Sequence, residues 1–253
     1  MKLALTSDLH LGITKLEKIE QCLADMRAGG ADIIVNAGDN CGTDVGYRAT
    51  EKLAPLFRKY FPTQPIFWTN GNHDYWHKSR ELHTFQENLE RINAALITEK
   101  INLIDTTGPI TLDYKNMSGE PIHVIGVSGW YATPRPRTND INFLPKNIEG
   151  DTHHYLLKMS EDRLFKQMDE LDKVYKEGDS VIFMSHFPVI NTGDDYKGAF
   201  EEFSWSESIG KIVQEKYKCK HFLNGHAHQR HAGPLRYEAG SDYYRPNFIV
   251  IEV

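Results

Sequence analysis

The chain has 253 residues, 40% of them hydrophobic, with a formal net charge of −6, which suits one α/β domain with a substantial core. The acidic balance argues against nonspecific binding to duplex nucleic acid, which depends on basic side chains releasing counterions from phosphates. Its three cysteines, Cys22, Cys41 and Cys219, are isolated and lack Cys-x-x-Cys spacing, so they are read as packing rather than as a disulfide framework or zinc knuckle.

The amino-terminal run MKLALTS is too short for a signal-peptide core or a membrane span, and a cytoplasmic protein without membrane contact is expected. KLALTS (2–7) instead opens a series of short apolar runs that continues with DIIVNAG (32–38), PIFWTNG (65–71), IHVIGVSG (122–129), SVIFMSH (180–186) and KHFLNGH (220–226). Most end in small or polar residues, as buried strands leading into loops do. FIVIEV closes the chain as a last strand.

Helical patterns lie between the strands: LEKIEQCLADMRAG, ATEKLAPLFRKYF, ELHTFQENLERINAAL, SEDRLFKQMDELDKVYKEG and SESIGKIVQEKY. In the fourth, Leu164, Met168, Leu171 and Tyr175 form an apolar stripe at spacings of three and four, with Gly178 as the stop. Residues 131–158 have little periodicity and read as a surface excursion. No repeat or linker divides the chain, so a single domain over 1–253 is expected.

The strand ends carry the unusual residues. Asp8 and His10 follow the first strand, Asp39 the second, Asn72 and His73 the third, His186 the fifth, and His226 and His228 the sixth. Alone, the stretch NGHAHQRH (224–231) fits a solvated polar loop at least as well as a metal site. The carboxyl ends of strands in open α/β sheets converge on one edge, however, so these distant residues can meet. Imidazoles mixed with carboxylates and an amide oxygen suit Mn, Fe, Zn, Co or Ni better than calcium. The set exceeds one tetrahedral site, whereas two ions about 3.5–4 Å apart with a shared carboxylate would use it fully.

The blocks DLH (8–10), GDN (38–40), GNHD (71–74), SH (185–186) and GHAH (225–228), in this order, resemble the calcineurin-like metallophosphoesterase superfamily. The likeness spans nearly the whole chain. It implies an α/β fold, a four-layer α-β-β-α sandwich of two mixed β-sheets flanked by helices. It also implies two divalent transition metal ions, one held by Asp8, His10, Asp39 and His228, the other by Asp39, Asn72, His186 and His226. Asp39 is then the bridge, and His73 the catalytic residue that faces the substrate phosphate and protonates the leaving oxygen. Water between such ions, its pKa lowered from 15.7 to about 7, is the nucleophile. His231 matches no ligand and reads as surface. Some relatives carry an acid three positions after the bridging Asp to orient the histidine; here that position is Gly42, with Asp44, slightly downstream, a candidate substitute.

The Asp-Arg-Gly run of protein Ser/Thr phosphatases is absent from GDNCGTDVG, which leaves a small phosphate ester as the expected substrate. A phosphodiester or nucleotide is favoured, with a phosphomonoester or a non-catalytic binding scaffold as alternatives. Tyr75, Trp76, Trp130 and Tyr131 are candidates for stacking on a base or sugar, and Arg135 and Arg137 for contacting phosphate oxygens. Taken singly, each aromatic is better explained by packing and each arginine by solvation.

Overall fold

The apolar runs become strands whose two faces are both covered. In the computed structural model, which describes residues 1–43, 45–76, 84–131, 152–191 and 204–253, the strands are β1 (Lys2–Thr6), β2 (Ile33–Ala37), β3 (Ile66–Thr69), β4 (Asn102–Leu103), β5 (Ile110–Lys115), β6 (Pro121–Gly126), β7 (Ser180–Met184), β8 (His221–Asn224), β9 (Arg230–Ala232), β10 (Arg236–Ala239) and β11 (Phe248–Glu252). They form a five-stranded sheet in the order β11-β1-β2-β3-β4 and a six-stranded sheet in the order β5-β6-β7-β8-β10-β9. β1, β2 and β3 run parallel, as do β6, β7 and β8. Antiparallel β11 and β5 make both sheets mixed.

Alternation along each strand decides which layer a side chain enters. Leu3, Leu5, Ile33, Val35 and Phe67 of one sheet meet Ile122, Val124, Ile182, Met184 and Leu223 of the other in a shared core. Their neighbours Ala4, Ile34, Ile66 and Trp68 turn outward onto helices α1 (Leu16–Ala28), α2 (Gly46–Tyr60) and α3 (Phe85–Thr98). Ile125, Val181, Phe183 and Phe222 turn outward in the second sheet. After the one-turn helix α4 (Ile104–Thr107), helices α5 (Thr152–Asp172) and α6 (Glu207–Tyr217) cover that face. The layers are therefore helix, sheet, sheet, helix, as expected. No helix among the described residues is long and apolar enough to cross a membrane.

Two expectations need correcting. Of the stretch 131–158 expected as a surface excursion, residues 132–151 lie outside the described residues, while Tyr131 is buried and residues 152–158 belong to α5, which buries Leu156 and Ser160 in line with Leu164, Gln167, Met168 and Leu171. The helix expected to open at Glu81 is described from Phe85, where Thr84 and Glu87 form a capping box: each side chain accepts from the other's backbone N–H, at 3.1 and 2.6 Å. β5, β9 and β10 have no apolar run, and their mixed polar sequences, ITLDYK, RHA and RYEA, gave no strand signal.

Candidate metal centre

The loops after β1, β2, β3, β7 and β8 converge at one edge of the sandwich. Asp8, His10, Asp39, His226 and His228 all adopt left-handed backbone conformations, with φ of 54°, 45°, 54°, 74° and 56°, which residues other than glycine rarely take. Such strain persists only where the surroundings impose it. Here the first two loops are zipped together: Asp8 N–H donates to the Gly38 carbonyl at 2.8 Å, His10 N–H to Asp39 at 3.0 Å and Leu11 N–H to Asn40 at 2.8 Å. Gly71 is required because a Cβ there would fall on the Asp39 carboxylate.

Asp39 lies between two groups of ligand-type atoms. Its Oδ1 is 3.4 Å from His186 Nε2, and its Oδ2 is 3.9 Å from both His10 Nε2 and His73 Nε2. On the Oδ1 side, Asn72 Oδ1 is 3.0 Å from His186 Nε2 and 3.2 Å from His226 Nδ1, and those two nitrogens are 3.2 Å apart. On the Oδ2 side, His10 Nε2 is 3.3 Å from His228 Nε2, which is 3.5 Å from Asp8 Oδ1. Within each of the sets Asp8/His10/His228, His10/Asp39/His73 and Asp39/His186/His226, the donor atoms lie within 4.8 Å of one another.

This donor set fits divalent ions. His186 faces the Ala37 carbonyl through Nδ1 at 2.8 Å and His10 faces the Cys41 carbonyl through Nδ1 at 3.4 Å. Protons held there turn each Nε2 lone pair inward, the arrangement that second partners impose on metal-binding histidines. Lone-pair atoms packed this closely repel unless a proton or cation sits among them. Burial opposes charge on His186, but Asp39 outweighs burial and pushes its pKa up to about 10. Burial would likewise raise Asp39, yet His186, His73 and His10 hold it well below the usual carboxylate range. Burial and the neighbouring His186 push His226 well below the ordinary imidazole value, and burial lowers His10 against the pull of Asp39 and Asp8.

Some residues around the centre carried no role in the sequence reading. Asp74 accepts the backbone N–H of Asn40 and of Cys41, each at 3.0 Å, on Oδ1, and the N–H of Gly71 at 2.9 Å and of Asn40 Nδ2 at 3.2 Å on Oδ2. It ties the β2 and β3 loops together, and its signal was its place in the GNHD block. Asp242 Oδ1 lies 3.5 Å from His228 Nδ1, and the Tyr243 ring lies 4.7 Å from that of His10 and 5.0 Å from that of His228. Both sit in the loop between β10 and β11, which has no motif.

The candidate substrate contacts fall differently. Trp130 is 1% exposed, enclosed by Tyr75, Tyr131 and Phe187, and donates its indole N–H to His153 Nδ1 at 3.2 Å. That is a core position. Tyr131 is also buried, edge-on to His226 at 5.3 Å. Arg135, Arg137 and Asp44 lie outside the described residues. His231 lies on β9 and belongs to none of the donor groups.

A helix–sheet–sheet–helix sandwich with histidines and carboxylates gathered at its strand ends defines a class of metal-dependent hydrolase. The chain belongs to the calcineurin-like phosphoesterase family, whose profile matches residues 1–230. Among solved structures it is similar to a phosphopantetheinyl hydrolase from Mycobacterium tuberculosis, with a TM-score of 0.71 at 14% identity over 96% of this chain and 90% of that one. It is also similar to TT1561 of Thermus thermophilus, with a TM-score of 0.52 at 16% identity over 88% and 80% of the two chains. At these identities the likeness is one of fold. No curated protein matches the chain.

Proposed function

We propose that residues 1–253 form one phosphoesterase domain that hydrolyses small phosphate esters, diesters or nucleotides by preference, with two divalent transition ions. Asp8, His10, Asp39 and His228 hold one ion; Asp39, Asn72, His186 and His226 hold the other. The observation that carries this reading is the division of the Asp39 carboxylate, with Oδ1 toward His186 and Oδ2 toward His10. Imidazole, carboxylate and amide donors suit Mn, Fe, Zn, Co or Ni.

When bound, such ions supply Lewis acidity and water acidified toward neutrality. The chain's own part is orientation and proton transfer. Asp39 Oδ1 accepts the His73 backbone N–H at 2.9 Å, which fixes where that residue's ring starts. His73 Nε2, 3.9 Å from Asp39 Oδ2, is set to steady charge on the phosphoryl oxygens and to protonate the leaving oxygen. A diester presents one negative charge, whereas a monoester presents about 1.5 to 2. An acidic chain with a net charge of −6 disfavours the second.

Two measurements test the proposal. Asp39→Asn should lower the content of both ions, because one shared negative ligand is lost from each site; full retention of two ions with full activity would refute the bridge. On manganese-loaded protein, bis(p-nitrophenyl) phosphate should give a higher kcat/KM than p-nitrophenyl phosphate. The opposite preference would overturn the diester assignment and leave the two-ion reading in place.

A further inference from the structure

His73 is held by an aromatic face. Its ring stacks on the Trp76 indole with centroids 3.5 Å apart and planes 25° from parallel, while the His10 ring meets it edge-on at 4.6 Å and 65°. His73 and Trp76 are each 6% exposed. Position 42 offers no room for an orienting carboxylate: a Cβ there would come within 2.7 Å of the His10 carbonyl oxygen and 2.9 Å of Ile13 Cγ1. The glycine is thus a consequence of how tightly the β1 and β2 loops pack.

We infer that Trp76 is the positioning residue for His73, its indole face fixing the plane of the imidazole so that Nε2 stays turned toward Asp39. The inference rests on the proposed role of His73 as proton donor. A histidine has two side-chain torsions, and every rotamer that points Nε2 elsewhere subtracts from the productive fraction. Swinging the imidazole about its second torsion would drive a ring edge into the indole. A tryptophan, itself with only two torsions, makes a stiff wall at small entropic cost.

The wall is anchored. The Trp76 backbone N–H donates to the His73 carbonyl at 3.2 Å, closing a short 3-10 turn over His73–Tyr75. The Tyr75 hydroxyl is 2.6 Å from Ser128 Oγ, and Ser128 donates N–H and O–H to Asp105, both at 2.8 Å. On the other side, Asn88 Nδ2 donates to the Asp74 carbonyl at 2.9 Å. The turn bearing His73 and Trp76 is therefore fastened both to α3 and to the loop after β6.

Trp76→Ala and Trp76→Phe, each made in the wild-type and His73→Ala backgrounds, test this. With phenyl esters, whose leaving group needs a proton, Trp76→Ala should lower kcat about 10-fold or more, part of the roughly 10²–10⁴ that a general acid contributes. The loss should be smaller with p-nitrophenyl esters, and Trp76→Phe should restore most of it. In the His73→Ala background Trp76→Ala should cost nothing further, with ion content unchanged throughout. An equal loss with and without His73, or loss of ions, would mark Trp76 as packing and overturn the inference. Metal-free protein provides a separate readout by NMR: the His73 ring protons should be shifted upfield by the indole and return toward ordinary values in Trp76→Ala. Absence of that shift in the wild type would also overturn it. If wild-type protein shows the shift but hydrolyses no ester, the enzymatic reading fails, and with it the catalytic purpose of the stacking.

Discussion

In the proposed mechanism Asp39 and His73 divide the chemistry between them. Asp39 is 1% exposed and its carboxyl is held low, against burial, by His186, His73 and His10, so its charge would be available to the two proposed ions. His73 stands beside the same carboxylate, and in that mechanism it belongs to the proton-transfer side of the reaction. His73→Ala should therefore leave ion content near normal while lowering turnover by roughly 10²–10⁴-fold, and less with leaving groups that need no proton. Equal losses on activated and unactivated esters, measured on the same loaded protein, would assign His73 to charge stabilisation instead. In the proposed centre Asp242 would act through His228. Facing Nδ1 at 3.5 Å, it favours the tautomer that leaves Nε2 free to bind, and Asp242→Asn should weaken one ion's affinity by about 10-fold, within the range for outer partners of metal ligands. Competition titration with a chelating dye checks this, and unchanged affinity for both ions would remove Asp242 from the centre.

Helix α5 is fastened to the second sheet by polar atoms as well as by its apolar stripe. Gln167, 4% exposed, accepts the Gly126 N–H at 2.9 Å and donates to the Gly126 and Ile104 carbonyls at 2.8 and 2.9 Å. Gln167→Leu keeps the volume but leaves those backbone groups buried and unmatched, at a cost of about 1–3 kcal/mol. A urea midpoint equal to that of the wild type would contradict this account. A second polar tie joins β6 to the approach to β7, where His123 Nε2 lies 3.1 Å from Asp179 Oδ2. Burial would raise the Asp179 carboxyl, but His123 and the Lys176 N–H outweigh it and hold the pKa below the ordinary value. A carboxyl lowered in this way adds stability above its unfolded value of about 3.9, and that stability is lost as pH falls through the folded value. Asp179→Asn should accordingly flatten the stability profile below about pH 4, as read from urea midpoints across that range.

At the scale of the whole molecule, the proposed centre joins two sheets. The five-stranded sheet supplies Asp8, His10, Asp39 and Asn72; the six-stranded sheet supplies His186, His226 and His228. Ions bound there would cross-link the sandwich at its open edge, and binding to the folded state alone stabilises by about 2.7 kcal/mol at a hundredfold excess over Kd. Chelation should therefore lower the thermal midpoint, manganese should restore it, and Asp39→Asn should respond less to each. A midpoint indifferent to chelator in fully loaded wild-type protein would separate the centre from the stability of the fold.

The amino-acid sequence alone determined the strands that are buried on both faces and the residues at their ends. An apolar run shows a buried strand whatever lies next to it, and a His or Asp just past the run is visible without coordinates. That is why DLH, GDN, GNHD, SH and GHAH were legible as one set, and why β5 and β10, half polar and paired to their sheets by backbone bonds, were not. Tertiary structure decided what depends on distance between segments remote in sequence: the division of the Asp39 oxygens, the capture of two loops by Asp74, and the approach of Asp242 and Tyr243 to His228. It also decided Trp130. An aromatic beside a site loop reads the same whether it faces substrate or core, and only packing against Tyr75 and Phe187 places it in the core. The same holds for Gly42, whose lack of a side chain carries no meaning in one dimension and becomes a steric requirement once the His10 carbonyl lies against it.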